Sequence, residues 1–142
     1  MTASFFFAHA HIRMTMLSEK SALITGASRG VGAATARQLA QAGCRVAINY
    51  HQSADHAETV ASQCREAGVE AILVPGDVAE DAACRRMVAQ TLETFGALDI
   101  LANNAGTTRF IDFSDLEAVQ DEDWDRILAV NLKGPFQMAR AA

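Results

Sequence analysis

Short, mostly apolar runs alternate along this chain with longer stretches whose apolar residues recur at helical spacing. The runs are Ala22–Thr25, Val46–Asn49, Ala71–Val74 and Leu98–Ala102. Their length and their lack of a polar face predict strands covered on both sides. Between them, Gly30–Ala42, Ser53–Ala67 and Glu80–Phe95 predict helices. In the first, Val31, Ala34 and Leu39 fall on one side. In the second, Ala57, Val60, Ala61 and Cys64 do so, with Ser53 as N-cap and Gly68 as stop. In the third, Cys84, Met87, Val88, Thr91, Leu92 and Phe95 form the stripe, with Gly96 after it. Strands alternating with helices of this length predict βαβ units, hence an α/β fold with a three-layer, doubly wound parallel sheet. Right-handed crossovers place the strands in the order 3-2-1-4.

Residues 107–120 predict a loop with a short helix near Ser114, and a last helix starts near Asp121. Asp121, Glu122 and Asp123 suit its positive end. Trp124, Ile127, Leu128, Asn131 and Leu132 make its expected inner stripe, and Gly134-Pro135 should disturb it. Residues 1–16 lack this order and predict a disordered extension, with the natural start at Met16 and a single domain over 17–142. Within the extension, Phe5-Phe6-Phe7-Ala8 is too short and lacks the preceding charge of a secretory signal. His9 and His11 have no further ligands for a metal.

Charge narrows the partners. Seventeen acidic residues against twelve basic ones leave a net charge of −5. Basic residues do not cluster, which argues against nucleic acid and anionic membrane. No apolar run approaches the roughly 18 residues of a membrane span. Cys44, Cys64 and Cys84 are too widely spaced for a disulfide framework or a C-x-x-C site. They read as small buried hydrophobes in a reducing cytoplasm.

The candidate chemistry lies after the first strand, in Thr25-Gly26-Ala27-Ser28-Arg29-Gly30-Val31-Gly32. A dinucleotide's pyrophosphate needs backbone N–H groups at a helix N-terminus, and glycine permits the close approach. The predicted strand before and helix after the turn strengthen this reading over that of a mere tight connection. No Gly-Lys-Ser/Thr follows, which excludes a P-loop. At the end of the second strand, Asn49-Tyr50-His51-Gln52-Ser53 contains no acid to bind free ribose hydroxyls or repel a 2′-phosphate. Arg29 adds a positive planar fork. NADP is therefore favoured as cofactor, with NAD possible.

Four pieces resemble one family, the short-chain dehydrogenases/reductases. The turn resembles its TGxxxGxG pattern, and Gly76-Asp77-Val78 its adenine-contacting position. Asn103-Asn104-Ala105-Gly106 resembles its NNAG motif. Val130-Asn131-Leu132-Lys133-Gly134-Pro135-Phe136 resembles the helix bearing its catalytic asparagine. The branch it is most similar to holds 3-oxoacyl-carrier-protein reductases and glucose dehydrogenases. The resemblance implies a Rossmann fold. It also implies a hydride transfer between NADP(H) and a small carbonyl or alcohol. Gly26, Ala27, Ser28, Arg29, Gly30, Val31, Gly32, Asn49, Tyr50, His51, Asp77, Val78, Asn104, Ala105 and Gly106 would hold the cofactor. Asp77 would receive the adenine amino group, and Asn104, Ala105 and Gly106 would line the ribose and the strand end. Asn103 would tie strands together. Asn131 would free a backbone carbonyl for a water of the proton relay. A homo-oligomer, dimer or tetramer, would form through its helix.

The same resemblance implies a serine and a Tyr-x-x-x-Lys, since a tyrosine with a reference pKa near 10 needs a cation nearby to work at neutral pH. The single tyrosine is Tyr50, with Ala54 four residues on. The chain is therefore expected to be the N-terminal fragment of such an enzyme, with the sheet truncated after about four strands, and inactive alone. A non-catalytic dinucleotide-binding module is the alternative. An epimerase of the extended branch is disfavoured, because its turn usually reads TGxxGxxG.

Overall fold

A computed structural model describes residues 16–142. The expected extension, with His9 and His11, lies outside the described residues except for Met16, which is exposed. Four parallel strands form one sheet: β1 (Ser21–Ile24), β2 (Arg45–Tyr50), β3 (Ala71–Pro75) and β4 (Ile100–Ala102). Their order is β3-β2-β1-β4, as the crossover rule requires. Helices α1 (Gly30–Gln41), α2 (Ala54–Glu66) and α3 (Asp81–Phe95) make the connections.

Side chains alternate across the strands and so feed two cores. Ala22, Ile24, Val46 and Ile48 pack with Ala33, Ala36 and Ala40 of α1 and with Val60 and Cys64 of α2. Leu23, Ala47 and Val74 pack on the other face with Cys84, Met87, Val88 and Phe95 of α3, and with Val130 and Met138 further on. The three layers follow. Burial pushes all three cysteine thiols up, Cys44 to about 11, so they remain protonated packing groups.

Helix α2 buries the predicted face of Ala57, Val60, Ala61 and Cys64. Helix α1 does not: Val31 is exposed, and the buried residues are Gly32, Ala33, Ala36 and Ala40. Its small side chains bring the helix close to the sheet. Leu92 of α3, expected in the stripe, is 41% exposed. Strand β4 starts two residues later than expected. Asp99 instead anchors the start of β1, accepting from the Ser21 N–H at 2.9 Å and from Lys20 Nζ at 2.8 Å.

Residues 107–120 form a loop with a single 3₁₀ turn at Leu116–Ala118. The last helical stretch has three parts: α4 (Asp121–Leu128), a π turn (Ala129–Lys133) and α5 (Gly134–Ala141). The expected inner stripe is overturned. Trp124, Leu128 and Leu132 are 59%, 48% and 68% exposed, and Asn131 is exposed as well. Val130, Gly134, Gln137 and Met138 point inward instead. Helix α4 ahead of the π turn buries no residue completely, so burial in this stretch begins only at Val130. Gly134, just after the π turn, lies against Val78, where a Cβ would stand 2.9 Å from the valine Cγ2. Pro135 opens α5, where a missing N–H costs nothing.

Candidate dinucleotide site

Strand β1 ends at the point where the order reverses, with β2 and β3 on one side and β4 on the other. Crevices at such switch points open beyond the carboxyl ends of the strands. A cleft of about 500 Å³ lies there. Its walls come from the glycine turn (Gly26, Ser28, Arg29), the end of β2 (Asn49, Tyr50, His51), the β3–α3 turn (Asp77, Val78) and the segment after β4 (Asn104, Ala105, Gly106). Eleven of the sixteen candidate residues thus meet at one cleft, although they come from four separate parts of the chain. Ala27 is instead fully buried beneath it, and Gly30, Val31 and Gly32 do not line it. Asn131 does not line it either; its neighbour Val130 does.

The turn is fixed from both sides by amides distant in sequence. The Gly26 N–H donates to Asn49 Oδ1 at 3.0 Å, and Asn104 Nδ2 donates to the carbonyls of Thr25 at 2.9 Å and Gly26 at 3.1 Å. The Thr25 hydroxyl accepts from the N–H groups of Asn104 at 2.9 Å and Ala105 at 3.0 Å. Asn49 Nδ2 donates to the Val74 and Gly76 carbonyls, each at 3.0 Å. Both amides brace the turn: Asn49 through its Oδ1 and Nδ2, and Asn104 through its Nδ2. Asn103 does not join strands; its Nδ2 reaches the Pro135 carbonyl at 3.4 Å.

The glycines have different reasons. At Gly26 (φ +63°) a Cβ would stand 2.8 Å from Ala105 Cα. At Gly32 it would meet Asn104 Nδ2 and stand 2.7 Å from the Gly26 carbonyl. Both are demanded by the protein's own packing. At Gly30 (φ +58°) nothing lies within 4 Å, so backbone conformation is the requirement there. The arrangement fits a pyrophosphate. The first-turn N–H groups of α1 have no partner within the helix, and Gly26, Ser28 and Arg29 of the turn before them open onto the cleft.

Charge in the cleft comes from Arg29, Asp77 and Arg126, with the His51 imidazole beside them. Arg126 of α4 was not among the residues singled out by sequence. Its Nη1 donates to Asp77 Oδ2 at 2.6 Å, and Asp77 Oδ1 accepts from the Ala79 N–H at 2.9 Å. His51 Nε2 lies 3.9 Å from the same Oδ2. Burial pushes the Asp77 carboxyl up, but Arg126 and the Ala79 N–H outweigh it and hold the pKa below the ordinary value. Two arginines against one carboxylate favour an anionic ligand. Asn131 binds Thr107 reciprocally: its Oδ1 accepts from the Thr107 N–H at 2.8 Å and its Nδ2 donates to the Thr107 carbonyl at 2.9 Å. Pro135, four residues on, has no N–H to give to the Asn131 carbonyl.

Comparison with known proteins places this geometry. The family model described as short chain dehydrogenase matches residues 20–142. Versicolorin reductase 1 of Aspergillus parasiticus is 41% identical over 126 residues, which is 89% of this chain and 47% of the reductase. The 3-oxoacyl-(acyl-carrier-protein) reductase of Staphylococcus aureus is 39% identical over 127 residues, 89% of this chain and 50% of that protein. A short chain dehydrogenase from Burkholderia cenocepacia, solved in complex with NADP, superposes with a TM-score of 0.84 at 41% identity, covering 89% of this chain and 50% of that one. The chain spans about half the length of the curated relatives it matches.

Proposed function

The chain belongs to the short-chain dehydrogenase family, a family of oxidoreductases, and from that premise we propose that it forms the cofactor half of an enzyme passing hydride between NADP(H) and a carbonyl or alcohol. The observation that carries this reading is the convergence at one cleft of the glycine turn, Asp77 and an acid-free end of β2. The neighbour from Burkholderia cenocepacia, named as an NADP complex, supports it.

Each residue then has a task. The glycine turn, with Gly26, Ser28 and Arg29 on the cleft, and the N–H groups at the start of α1 would hold the pyrophosphate. Arg29 and His51 flank the ribose 2′-position, where the guanidinium offers a fork to a phosphate. Asp77 accepts from the adenine amino group, beside Val78. Asn49 and Asn104 hold the turn in shape and contact the ligand only along the cleft wall. When bound, the nicotinamide gives or takes the hydride. Asn131 contributes its backbone carbonyl to a water of the proton relay, because its amide is already bonded twice to Thr107. The exposed side chains Trp124, Leu128, Leu132 and Phe136 recur every four residues and are proposed as the contact with a second copy. No helix among the described residues is long and apolar enough to cross a membrane.

Fluorescence titration tests the reading. NADPH should bind at least ten times more tightly than NADH. Arg29→Ala should remove about ten-fold of NADPH affinity, the loss of one charge-assisted contact, and leave NADH unchanged. No carbonyl turnover is expected from this chain alone. Equal or tighter NADH binding would sink the NADP assignment.

A further inference from the structure

Helix α4 buries none of its residues completely, yet it borders the cleft. Two ion pairs tie it down. Asp123 pairs with Arg109 of the preceding loop, and Arg126 pairs with Asp77 across the cleft. Arg126 is separated from Asp77 by 49 residues, and its side chain is 45% exposed. It is therefore not held in place as packing. From that exposed position its guanidinium reaches the Asp77 carboxylate at 2.6 Å.

A carboxylate used to recognise an amino group must present an oxygen in a fixed plane. With a single tether it rotates about its terminal bond. Asp77 has two tethers, one on each oxygen: the Ala79 N–H on Oδ1 and the Arg126 guanidinium on Oδ2. Each oxygen keeps a lone pair for a further donor. We propose that Arg126 is a positioning residue for base recognition: by locking the Asp77 carboxylate it makes the cleft select a purine with a 6-amino group. The proposal rests on the assignment of Asp77 to the adenine in the proposed function. The cationic partner also keeps Asp77 an acceptor, since a protonated carboxyl would lose one.

The two tethers act differently on the two kinds of base. A 6-amino group donates to the locked carboxylate. A 6-oxo group cannot, and it places an acceptor against an acceptor. Removing the lock should therefore cost the amino base its advantage and cost the oxo base little.

The experiment pairs a ligand change with a residue change. NADPH and nicotinamide hypoxanthine dinucleotide phosphate (reduced form), in which oxygen replaces the 6-amino group, are titrated into the wild type, Arg126→Met and Arg126→Lys. The wild type should prefer NADPH by about ten-fold. In Arg126→Met that preference should collapse to two-fold or less, through weaker NADPH binding, while the hypoxanthine ligand is hardly changed. Arg126→Lys should restore most of it, because a cation still reaches Oδ2. If both ligands weaken equally in Arg126→Met, Arg126 only supports the helix and the proposal is wrong. A wild type that binds both equally overturns it as well, while leaving dinucleotide binding intact. A wild type that binds neither refutes the cofactor reading itself, and this proposal with it. A thermal melt of each variant confirms that the affinities refer to folded protein.

Discussion

Gly32→Ala inserts a single methyl group into the tightest point of the molecule. Its Cβ would meet Asn104 Nδ2, stand 2.7 Å from the Gly26 carbonyl and 3.0 Å from Ala27 Cα. Two of these three neighbours are backbone of the glycine turn, so they cannot rotate away. Forcing the methyl in as overpacking costs about 1–3 kcal/mol. Swinging Asn104 aside removes its bonds to the Thr25 and Gly26 carbonyls, at about 1 kcal/mol each. Both routes cost roughly 2 kcal/mol, offset by up to ~1 kcal/mol from the better helix propensity of alanine. A net loss of about 1–2 kcal/mol should lower the melting temperature by roughly 3–8 °C for a chain of this size. Gly30→Ala is the control. It has the same chemistry and nothing within 4 Å, so only the left-handed backbone (φ +58°) resists it, at about 1 kcal/mol. Gly32→Val adds two more carbon atoms at the same point and should abolish NADPH binding while most of the helical circular dichroism survives. Thermal melts followed by circular dichroism, with NADPH titration at 20 °C, read all three variants. The reasoning fails if Gly32→Ala melts within 1 °C of the wild type, or if Gly32→Val binds NADPH with unchanged affinity.

Two further outcomes follow from the structure. Asp99 is held below its ordinary pKa of 3.8 by Lys20 and by the Ser21 N–H, so its stabilisation is complete above the unfolded value and disappears as pH falls through the lower folded one; Asp99→Asn should therefore melt lower than the wild type at pH 7, and the difference should shrink as the pH is taken below 3.8, whereas a pH-independent gap would exclude the linkage. Leu128→Glu with Leu132→Glu should shift the chain to a monomer in sedimentation or light scattering at concentrations where the wild type associates, and a wild type that stays monomeric throughout would contradict a second copy on that stripe.

Much was legible from order alone. The alternation of apolar runs and helical periods determined the parallel sheet, and the crossover rule its order, because both depend on local pattern and chain handedness. The stripe of α2 was legible because its large and small apolar residues share one face. Thr25-Gly26-Ala27-Ser28-Arg29-Gly30-Val31-Gly32 was legible as a tight strand-to-helix turn, because close approach leaves glycines at fixed spacing, here Gly26 against Ala105 and Gly32 against Asn104. Where the reading failed, a through-space partner decided. Val31 looked like core, but α1 lies so near the sheet that alanines fill the gap and Val31 faces solvent. Trp124, Leu128 and Leu132 looked inward, but α4 buries no residue completely against the rest of the chain, and this side of the last helix stays exposed. Asn49 and Asn104 line the cleft as read, but their second task, bracing the glycine turn 23 and 78 residues away, had no local sign. Arg126 gave no local sign, because a lone arginine on a polar helix face acquires meaning only from the carboxylate 49 residues distant that it meets. Local pattern was enough for the four strands, the three connecting helices, their order and the glycine turn, all written in periods of a few residues. Tertiary structure alone decided which amide supports, which arginine orients and which face of the last helix is left bare, because hydrogen bonds and contacts are settled by distance in space, which local spacing does not encode.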